Sequence, residues 1–296
     1  MKKITKAGVY RDLDKEDYFA NAEWINNSRL KRCRKSLSLF KYFEDNPPPE
    51  RKEVFFDFGK TFETALLYPD QLLDEVAIMD EDKWIAAALK QNPKLTKPKS
   101  SKVFTTLKDE WKVKNEGRSF ITTEDMSKVE QMVENCKKNK VINSLISVPE
   151  NEIEVSIFYV DETGVKLKSR TDVLNPENQV IIDVKSTEDA SPENFARSCA
   201  QHDYPWQATT QIKAVESAGL FEVNRYFWLV VEKQPPFNAQ LYEFQQADRE
   251  HYRAEVDYHL SLLAEAQKSQ IYKGYEINAD NPHGILSLDI PLYYRK

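Results

Sequence analysis

The sequence has little glycine, little cysteine and no long apolar stretch. Glycine accounts for 7 of the 296 residues, whereas 41% of the residues are hydrophobic and 11% are aromatic. This composition indicates a folded chain with a sizeable core and argues against extensive disorder. No run of 18 apolar residues is present, so we expect no membrane span and no membrane partner. The basic start, MKKITKAGVY, is not followed by an apolar segment, so we expect no secretory signal.

The three cysteines, Cys33, Cys136 and Cys199, are far apart and form no Cys-x-x-Cys motif. This spacing favours separate reduced thiols and disfavours an iron–sulfur cluster, which normally needs four ligands. The sequence also lacks the GxxxxGK(S/T) pattern, so no ATP-driven motor is expected. A reducing, cytoplasmic location fits these features.

The net charge of −6 and the pI near 5.5 argue mildly against nucleic-acid binding, which usually goes with a basic excess. Net charge says little about local fields, however. Two segments are locally basic, residues 29–35 (RLKRCRK) and residues 94–102 (KLTKPKSSK). Each is either a solvated face or a patch that contacts phosphates.

The first half of the chain has mostly helical patterns. We predict a helical N-terminal portion over residues 1–50, in which residues 1–22 are polar and loosely ordered. Residues 51–296 are predicted to form the main domain, with a helical and loop insertion at about 80–120. Within this domain, residues 53–68 carry an apolar helical face that ends before a proline.

The period of the pattern changes at residue 152, where alternation begins. Strands are predicted over residues 152–159, 165–174, 180–185 and 225–232, with a further one over 239–244. The first three are joined by the turn signals DETG and NPEN, as in an antiparallel meander. Helices are predicted after the meander and over residues 246–269. The order of elements predicts an α/β (α+β-like) fold with a mixed central β-sheet flanked by helices.

Three acidic side chains, Glu154, Asp172 and Asp183, lie on the three strands of the meander. The second turn pairs the second strand with the third, so Asp172 and Asp183 can meet at one end of the sheet. Alternation puts Lys185 on the same face as Asp183. Buried charges are costly unless they are paired or used. The four side chains are therefore either a structural set of ion pairs or a reactive site.

Converging carboxylates beside one lysine suit Mg²⁺-dependent hydrolysis of phosphodiesters. Mg²⁺ prefers oxygen ligands and usually takes a few carboxylates together with water and phosphate oxygens. It polarises the phosphoryl group and helps to generate hydroxide, while a nearby ammonium can orient the water or stabilise developing charge. The Asp-x-Lys triplet is common, so this local pattern alone leaves both interpretations open.

The order of further motifs resembles one nuclease family. Asp172 followed by Asp183-Val184-Lys185 resembles the PD-(D/E)xK nuclease superfamily, with its restriction-endonuclease-like core. The chain is more narrowly similar to the RecE-type (exodeoxyribonuclease VIII-like) exonucleases, which are common in phages and prophages. The stretches that carry this resemblance are residues 25–31 with 35–36, 58–69, 154–156, 168–172, 183–187, 204–207 and 231–236.

The resemblance implies a role for each site residue. Asp172 and Asp183 would bind Mg²⁺, with Mn²⁺ as a substitute, and the backbone carbonyl of Val184 would be a further ligand. Lys185 would position or activate the attacking water. Glu154 would be a ligand or an acid next to the ligands.

Two positions depart from the family pattern. Glu63 stands where the family usually has a histidine, and Gln211 stands where it usually has a tyrosine one helical turn after Gln207. Gln207 would lie beside the site and near DNA. Glu63 is either an extra metal ligand, since carboxylates suit Mg²⁺, or an ordinary glutamate on a helix surface.

The function that the resemblance implies is digestion of one strand of linear duplex DNA from an end. The remaining single-stranded tail would serve a separate annealing protein in recombination, and such enzymes are often ring-shaped homo-oligomers. Three alternatives stay open: an endonuclease or single-strand nuclease of the same superfamily, a DNA- or protein-binding relative that has lost catalysis, and a globular domain with a structural Asp–Lys pair.

Overall fold

The computed structural model describes residues 2–48 and 58–275. The strands in these ranges are β1 (Gly8–Tyr10), β2 (Val76–Met79), β3 (Ser119–Thr122), β4 (Glu152–Val160), β5 (Lys166–Asn175), β6 (Val180–Thr187), β7 (Arg225–Glu232) and β8 (Ala239–Glu243). The helices are α1 (Lys15–Ala20), α2 (Asn27–Lys35), α3 (Leu37–Asp45), α4 (Phe58–Leu67), α5 (Leu72–Glu75), α6 (Glu81–Gln91), α7 (Lys102–Lys114), α8 (Thr123–Lys138), α9 (Lys140–Ile146), α10 (Pro192–His202), α11 (Tyr204–Ser217) and α12 (Gln246–Ser269). Short 3-10 helices span Pro69–Gln71 and Pro98–Ser100.

Several helices begin where the sequence supplies a capping side chain. Asn26 accepts a hydrogen bond from the third residue of α2, and Ser36 does the same for α3. Ser101 and Thr122 cap α7 and α8 in the same way. These side-chain oxygens satisfy amide groups that have no partner within the first helical turn. The helix expected over residues 53–68 is observed as α4, and residues 53–57 lie outside the described residues.

Six strands form the main sheet in the order β1-β4-β5-β6-β7-β8. All neighbouring pairs are antiparallel except β6 and β7, which are parallel. The expected meander is therefore confirmed as β4, β5 and β6, and the predicted mixed α/β fold is confirmed. A separate parallel pair, β2 and β3, joins the two ends of the insertion expected at about 80–120.

The main sheet has an apolar core on each face. Alternation along β6 sends Ile181 into one core and Ile182 into the other. The first core includes Trp206 of α11 and Leu260 of α12, both fully buried. The second includes Phe62 of α4 together with residues of α8. Helices thus cover both faces, and the site described below lies where strands β5 and β6 separate between these two layers.

The expectation that residues 1–22 are loosely ordered is wrong. Residues of β1 extend the sheet by pairing with β4. Leu13 and Tyr18 are buried around Phe158, a β4 side chain that is 1% exposed. Only a few side chains of residues 2–22 face the sheet, so most of this segment can be polar and still be ordered. The division between an N-terminal portion and a main domain at residue 50 stays a prediction.

A buried lysine anchors this first segment to the sheet. The ammonium of Lys168, on β5, donates hydrogen bonds to the carbonyls of Tyr18 and Asn21 at 2.5 and 2.9 Å. It also lies 4.8 Å from the centre of the Tyr18 ring. The residue is 3% exposed, so its charge is balanced by backbone acceptors and the aromatic face instead of by water.

Candidate active site

Three carboxylates stand in one row across β4, β5 and β6. Glu154 and Asp172 fall between two ladder pairs of β4 and β5, Ile153 with Val173 and Val155 with Thr171, and so occupy facing positions. The register of the β5–β6 pair, continued by one residue, places Asp172 opposite Asp183. Directly opposed residues of an antiparallel pair lie on the same face of the sheet. Asp172 and Asp183 therefore share a face, which is the geometric condition that a common site requires.

Asp183 is fully buried, with none of its surface exposed. One carboxylate oxygen forms an ion pair with the ammonium of Lys185, two residues along the same strand. The other accepts a hydrogen bond of 3.0 Å from the side-chain amide of Gln207 on α11. A buried carboxylate would be strongly unfavourable without such partners. Gln207 thus lies beside the site and orients the Asp183 carboxylate.

Asp172 occupies the gap that opens between β5 and β6. Its Oδ2 accepts a hydrogen bond of 2.7 Å from the backbone N–H of Val184. Beyond the last ladder pair of these strands, that N–H has lost its strand partner, and the carboxylate replaces it. The carbonyl of Val184 points to the same side of the strand as its N–H, as in any extended residue. The Val184 carbonyl is therefore turned towards Asp172.

Lys185 is held between two carboxylates and an aromatic ring. Burial alone would lower its pKa, but the charges of Asp183 and Asp172 outweigh burial and raise the pKa of Lys185 above its ordinary value. The ammonium also lies 5.0 Å from the centre of the Tyr204 ring at the start of α11. Lys185 is therefore protonated in this arrangement and acts as a cation and hydrogen-bond donor.

Glu63 faces this row from α4. Burial raises the pKa of Glu63 to about 7, and the negative charges of Glu154 and Asp183 act in the same direction. The pKa of Asp172 is raised by burial and by the charges of Glu63 and Asp183. These carboxylates repel one another when they are ionised, although Lys185 pairs with Asp183 and Arg170 pairs with Glu154. Asp172 and Glu63 are therefore harder to ionise than ordinary carboxyl groups, and a cation bound between them would favour their ionised forms.

Glu154 differs from the other members of the row in its backbone and in its partner. Its φ of 50° lies in the left-handed region, which is uncommon for a residue with a side chain. Its carboxylate forms an ion pair with Arg170, which also donates to the carbonyl of Leu13 at 3.2 Å. Glu154 and Arg170 line a cavity of about 330 Å³ between the first segment and α4. Glu154 thus links the carboxylate row to this neighbouring cavity.

One protein family matches residues 56–275, and its description is "PDDEXK-like domain of unknown function". The match covers most of the chain. The chain belongs to this family. The PD-(D/E)xK resemblance is confirmed at the level of the superfamily, while the RecE-type assignment stays a prediction. No curated protein matches the chain.

The solved structures that match the chain include two named as exonucleases. A "putative exonuclease" from Eubacterium rectale superposes with a TM-score of 0.54 at 13% identity, covering 96% of this chain and 98% of the other. A phage-related exonuclease from Haemophilus somnus 129PT has a TM-score of 0.32 at 12% identity, covering 64% of this chain and 94% of the other. At these identities the first likeness shows the fold alone, and the second carries no argument.

The side chains of this PDDEXK-like domain suit a hard divalent cation by their chemistry. Asp172, Asp183, Glu63 and Glu154 offer carboxylate oxygens and Val184 offers a carbonyl, which are the ligand types that Mg²⁺ takes. Among the residues that the structure describes, no three His, Cys, Asp or Glu side chains are already arranged as a metal-binding cluster. In this arrangement Asp183 is paired with Lys185, and Glu154 is paired with Arg170.

Two residues next to the site were not identified from the sequence. Tyr204 supports Lys185, and Arg170 pairs with Glu154. Both lie inside stretches that carry the family resemblance, at 204–207 and 168–172, but their types alone did not suggest a role. Gln211, in contrast, is buried and serves the fold, because it donates to the Arg170 carbonyl at 2.9 Å and accepts from the hydroxyl of Tyr226 at 2.5 Å.

The corner between α10 and α11 holds Tyr204 and Gln207 in place. Asp203 forms this corner with a left-handed backbone, φ 55°. Two side chains of α2 contact this corner. Lys31 donates to the carbonyl of His202 at 2.5 Å, and Arg34 forms an ion pair with Asp203. The basic helix α2 therefore fixes the start of α11, the helix whose first turn contacts both Asp183 and Lys185.

Proposed function

We propose that this protein is a Mg²⁺-dependent exodeoxyribonuclease. It would hydrolyse phosphodiester bonds from the ends of linear duplex DNA and leave single-stranded tails for recombination. The observation that carries the proposal is the row of Glu154, Asp172 and Asp183, with Lys185 beside it, at the point where β5 and β6 separate. Membership of the PDDEXK-like family supports the same conclusion.

Asp172, Asp183 and the Val184 carbonyl would hold the metal, and Glu63 and Glu154 are the additional carboxylates within the site. Mg²⁺, or Mn²⁺ in its place, would polarise the scissile phosphate and lower the pKa of a bound water. Burial, together with repulsion between the carboxylates, raises the pKa values of Asp172 and Glu63. A bound cation would relieve the repulsion, which supports this assignment.

Lys185 would orient the attacking water and stabilise negative charge that develops on the phosphate. Its protonated state and its position between Asp183 and the Tyr204 ring suit this role better than that of a general base. Gln207 would keep the Asp183 carboxylate in a fixed orientation through its amide hydrogen bond. Such supporting contacts commonly change metal affinity or activity 10- to 100-fold when they are removed.

We also propose that the protein works as a homo-oligomer together with a single-strand annealing protein. The net charge of −6 is unusual for a protein that acts on DNA, and a closed assembly could gather dispersed basic side chains around one channel. Sedimentation at working concentration tests this part independently. A monomer there would contradict it without affecting the catalytic site.

The decisive experiment is incubation of linear duplex DNA, labelled at either the 5′ or the 3′ end, with the protein and Mg²⁺. We expect release of nucleotides from one end, no release in EDTA, and resistance of covalently closed circular DNA. Asp183→Asn and Lys185→Met should each lower the rate by at least about 10³-fold, in line with the loss of a metal ligand or of a charge-stabilising group.

A matched control is Glu177→Gln, which removes an exposed carboxylate at the opposite end of the same β5–β6 hairpin. This variant should keep its activity. Cleavage of closed circles at the rate of linear DNA would contradict an exonuclease and favour an endonuclease. Absence of any hydrolysis with DNA binding retained would contradict catalysis altogether.

A further inference from the structure

The two basic segments of the chain differ in how their charges are used. In α2, Arg29 is paired with Glu44, and Arg34 is paired with Asp203 and Glu255. Lys31 donates to a backbone carbonyl, and the Arg32 guanidinium lies over an aromatic ring at 4.4 Å. Four of the five basic side chains of α2 are thus engaged within the protein. They build the corner next to the site and are poorly placed to meet a ligand.

The second basic segment belongs to a larger unit, residues 81–118, which we call the lysine-rich module. It holds ten lysine and arginine residues against five acidic ones, whereas the rest of the chain holds 32 against 43. The module therefore has a net charge of +5 in a protein whose remainder has −11. Six of its lysines are exposed and form no ion pair within the described ranges 2–48 and 58–275; these are Lys90, Lys94, Lys97, Lys102, Lys112 and Lys114.

The module has an internal core of its own. The Trp84 ring of α6 meets the Phe104 and Trp111 rings of α7 at centroid distances of 5.6 and 5.8 Å. The link between the helices folds back along α6, because Lys99 pairs with Glu81 in the first turn of that helix at 2.5 Å. Helices α6 and α7 pack chiefly on each other and on this link. The unpaired lysines are therefore attached to a packed unit of two helices and their link.

The two strands that flank the module pack in the same apolar core as helix α4 of the candidate site. Strands β2 and β3 flank the module, and Arg118 ties them together by donating to the carbonyls of Leu73 and Val76. Val76 and Ile121 belong to the same apolar core as Phe62 of α4, the helix that carries Glu63. The module is thus joined through one packed layer to the helix that faces the carboxylate row.

We infer that the lysine-rich module binds the phosphates of the duplex portion of the DNA substrate. This inference rests on the proposed nuclease function and adds a substrate-holding surface to it. Exposed lysines are hydrated point charges on flexible stems, so they neutralise phosphates without reading bases. Binding of this kind releases condensed counterions and depends steeply on salt. It also gives an acidic protein one region to which DNA is attracted.

The test variant replaces three unpaired lysines of the module: Lys94→Gln, Lys97→Gln and Lys102→Gln together. The matched control replaces three exposed lysines on other helices, Lys137→Gln, Lys140→Gln and Lys268→Gln. Both variants lose the same formal charge. No buried contact is removed in either, so both should fold, which a thermal melt of each protein checks.

Binding of a blunt duplex is measured in EDTA, where no hydrolysis occurs, over a series of salt concentrations. If all three lysines contact phosphates, the slope of log affinity against log salt falls by roughly 3 for the module variant, at about 0.9 per phosphate contact. The affinity near 0.1 M salt should fall at least about tenfold. For the control variant the slope should change by less than about 1.

Hydrolysis assays separate this inference from the proposed function. With Mg²⁺, the module variant should have a raised KM for duplex DNA and an unchanged kcat. If the parent protein binds duplex DNA through the module but hydrolyses nothing, the proposed function fails and the inference stands. If the parent hydrolyses DNA and the module variant binds with the salt slope of the control, the inference alone is overturned, and an acidic protein partner becomes the better explanation of the lysines. Absence of duplex binding by the parent also overturns it.

Discussion

Lys168→Met tests the most specific structural claim about the first segment of the chain. The Lys168 ammonium donates to the carbonyls of Tyr18 and Asn21 at 2.5 and 2.9 Å, and more weakly to that of Phe19 at 3.4 Å. Methionine has a similar length but no donor. The substitution therefore removes the short hydrogen bond to the Tyr18 carbonyl and the weaker one to the Phe19 carbonyl, whereas the Asn21 carbonyl keeps the backbone N–H of Trp24 at 3.2 Å. It creates little empty volume.

The expected loss of stability in Lys168→Met follows from these contacts. A buried carbonyl that loses its partner costs about 1–3 kcal/mol. Part of this loss is offset, since the variant no longer buries a charge. We therefore expect the free energy of unfolding near pH 7 to fall by about 1–3 kcal/mol, a sizeable share of the roughly 5–15 kcal/mol typical of a folded protein.

Denaturant unfolding and limited proteolysis measure the effect. Lys168→Met should lower the denaturant midpoint and expose residues 2–22 to protease earlier than the rest of the chain. The control is Lys140→Met, which changes an exposed lysine at the start of α9 and should alter stability by no more than about 0.5 kcal/mol. Equal midpoints for the two variants would refute the claim that Lys168 anchors the first segment.

The difference in stability between parent and Lys168→Met should also depend on pH. Burial, assisted by the charge of Arg29, lowers the pKa of Lys168 to about 8, whereas the pKa in the unfolded chain is about 10.4. Between these values the unfolded state binds more protons than the folded state, so the contribution of Lys168 to stability rises with pH. The difference should therefore be smallest below pH 8 and should grow towards pH 10. A difference that is constant with pH would contradict the lowered pKa.

Two further predictions concern the site. Gln207→Leu removes the amide that orients Asp183, and we expect Mg²⁺ affinity or the rate of hydrolysis to fall about 10- to 100-fold, as measured by titration calorimetry and nucleotide release; unchanged values would show that Asp183 needs no such support. Glu63→Gln removes one of the repelling carboxylates, so the metal-free protein should be more stable at pH 8, while the rise in melting temperature on adding Mg²⁺ should be smaller; an equal rise would exclude Glu63 from the metal site.

Elements with strong local patterns could be predicted from the sequence. The meander was recognisable because alternation and turn residues act over a few positions, and helix α12 because its pattern spans many turns. The first segment was misjudged for the opposite reason. Burial of its few apolar side chains depends on strands about 140 residues later in the chain, such as β4 with Phe158.

The candidate site likewise contains one feature that the sequence predicted and several contacts that it did not. The meeting of Asp172 with Asp183 follows from a short hairpin, in which turn and alternation determine the register. The contacts of Gln207 with Asp183, of Tyr204 with Lys185 and of Arg170 with Glu154 are side-chain contacts. The first two join distant elements, and the third joins neighbouring strands at Glu154, where the backbone is left-handed. No local pattern reveals them.

The sequence by itself determined the mixed α/β class, the meander and the presence of carboxylates and one lysine at its end, because short-range periodicity and turn chemistry carry that information. Only the tertiary structure decided which charges are engaged and which are free. Helix α2 and the lysine-rich module look alike as basic runs. Four of the five basic side chains of α2, however, contact residues of other elements, and the Arg34 partners Asp203 and Glu255 are distant in the chain. Pairing of charges depends on long-range packing, and a linear pattern does not contain it.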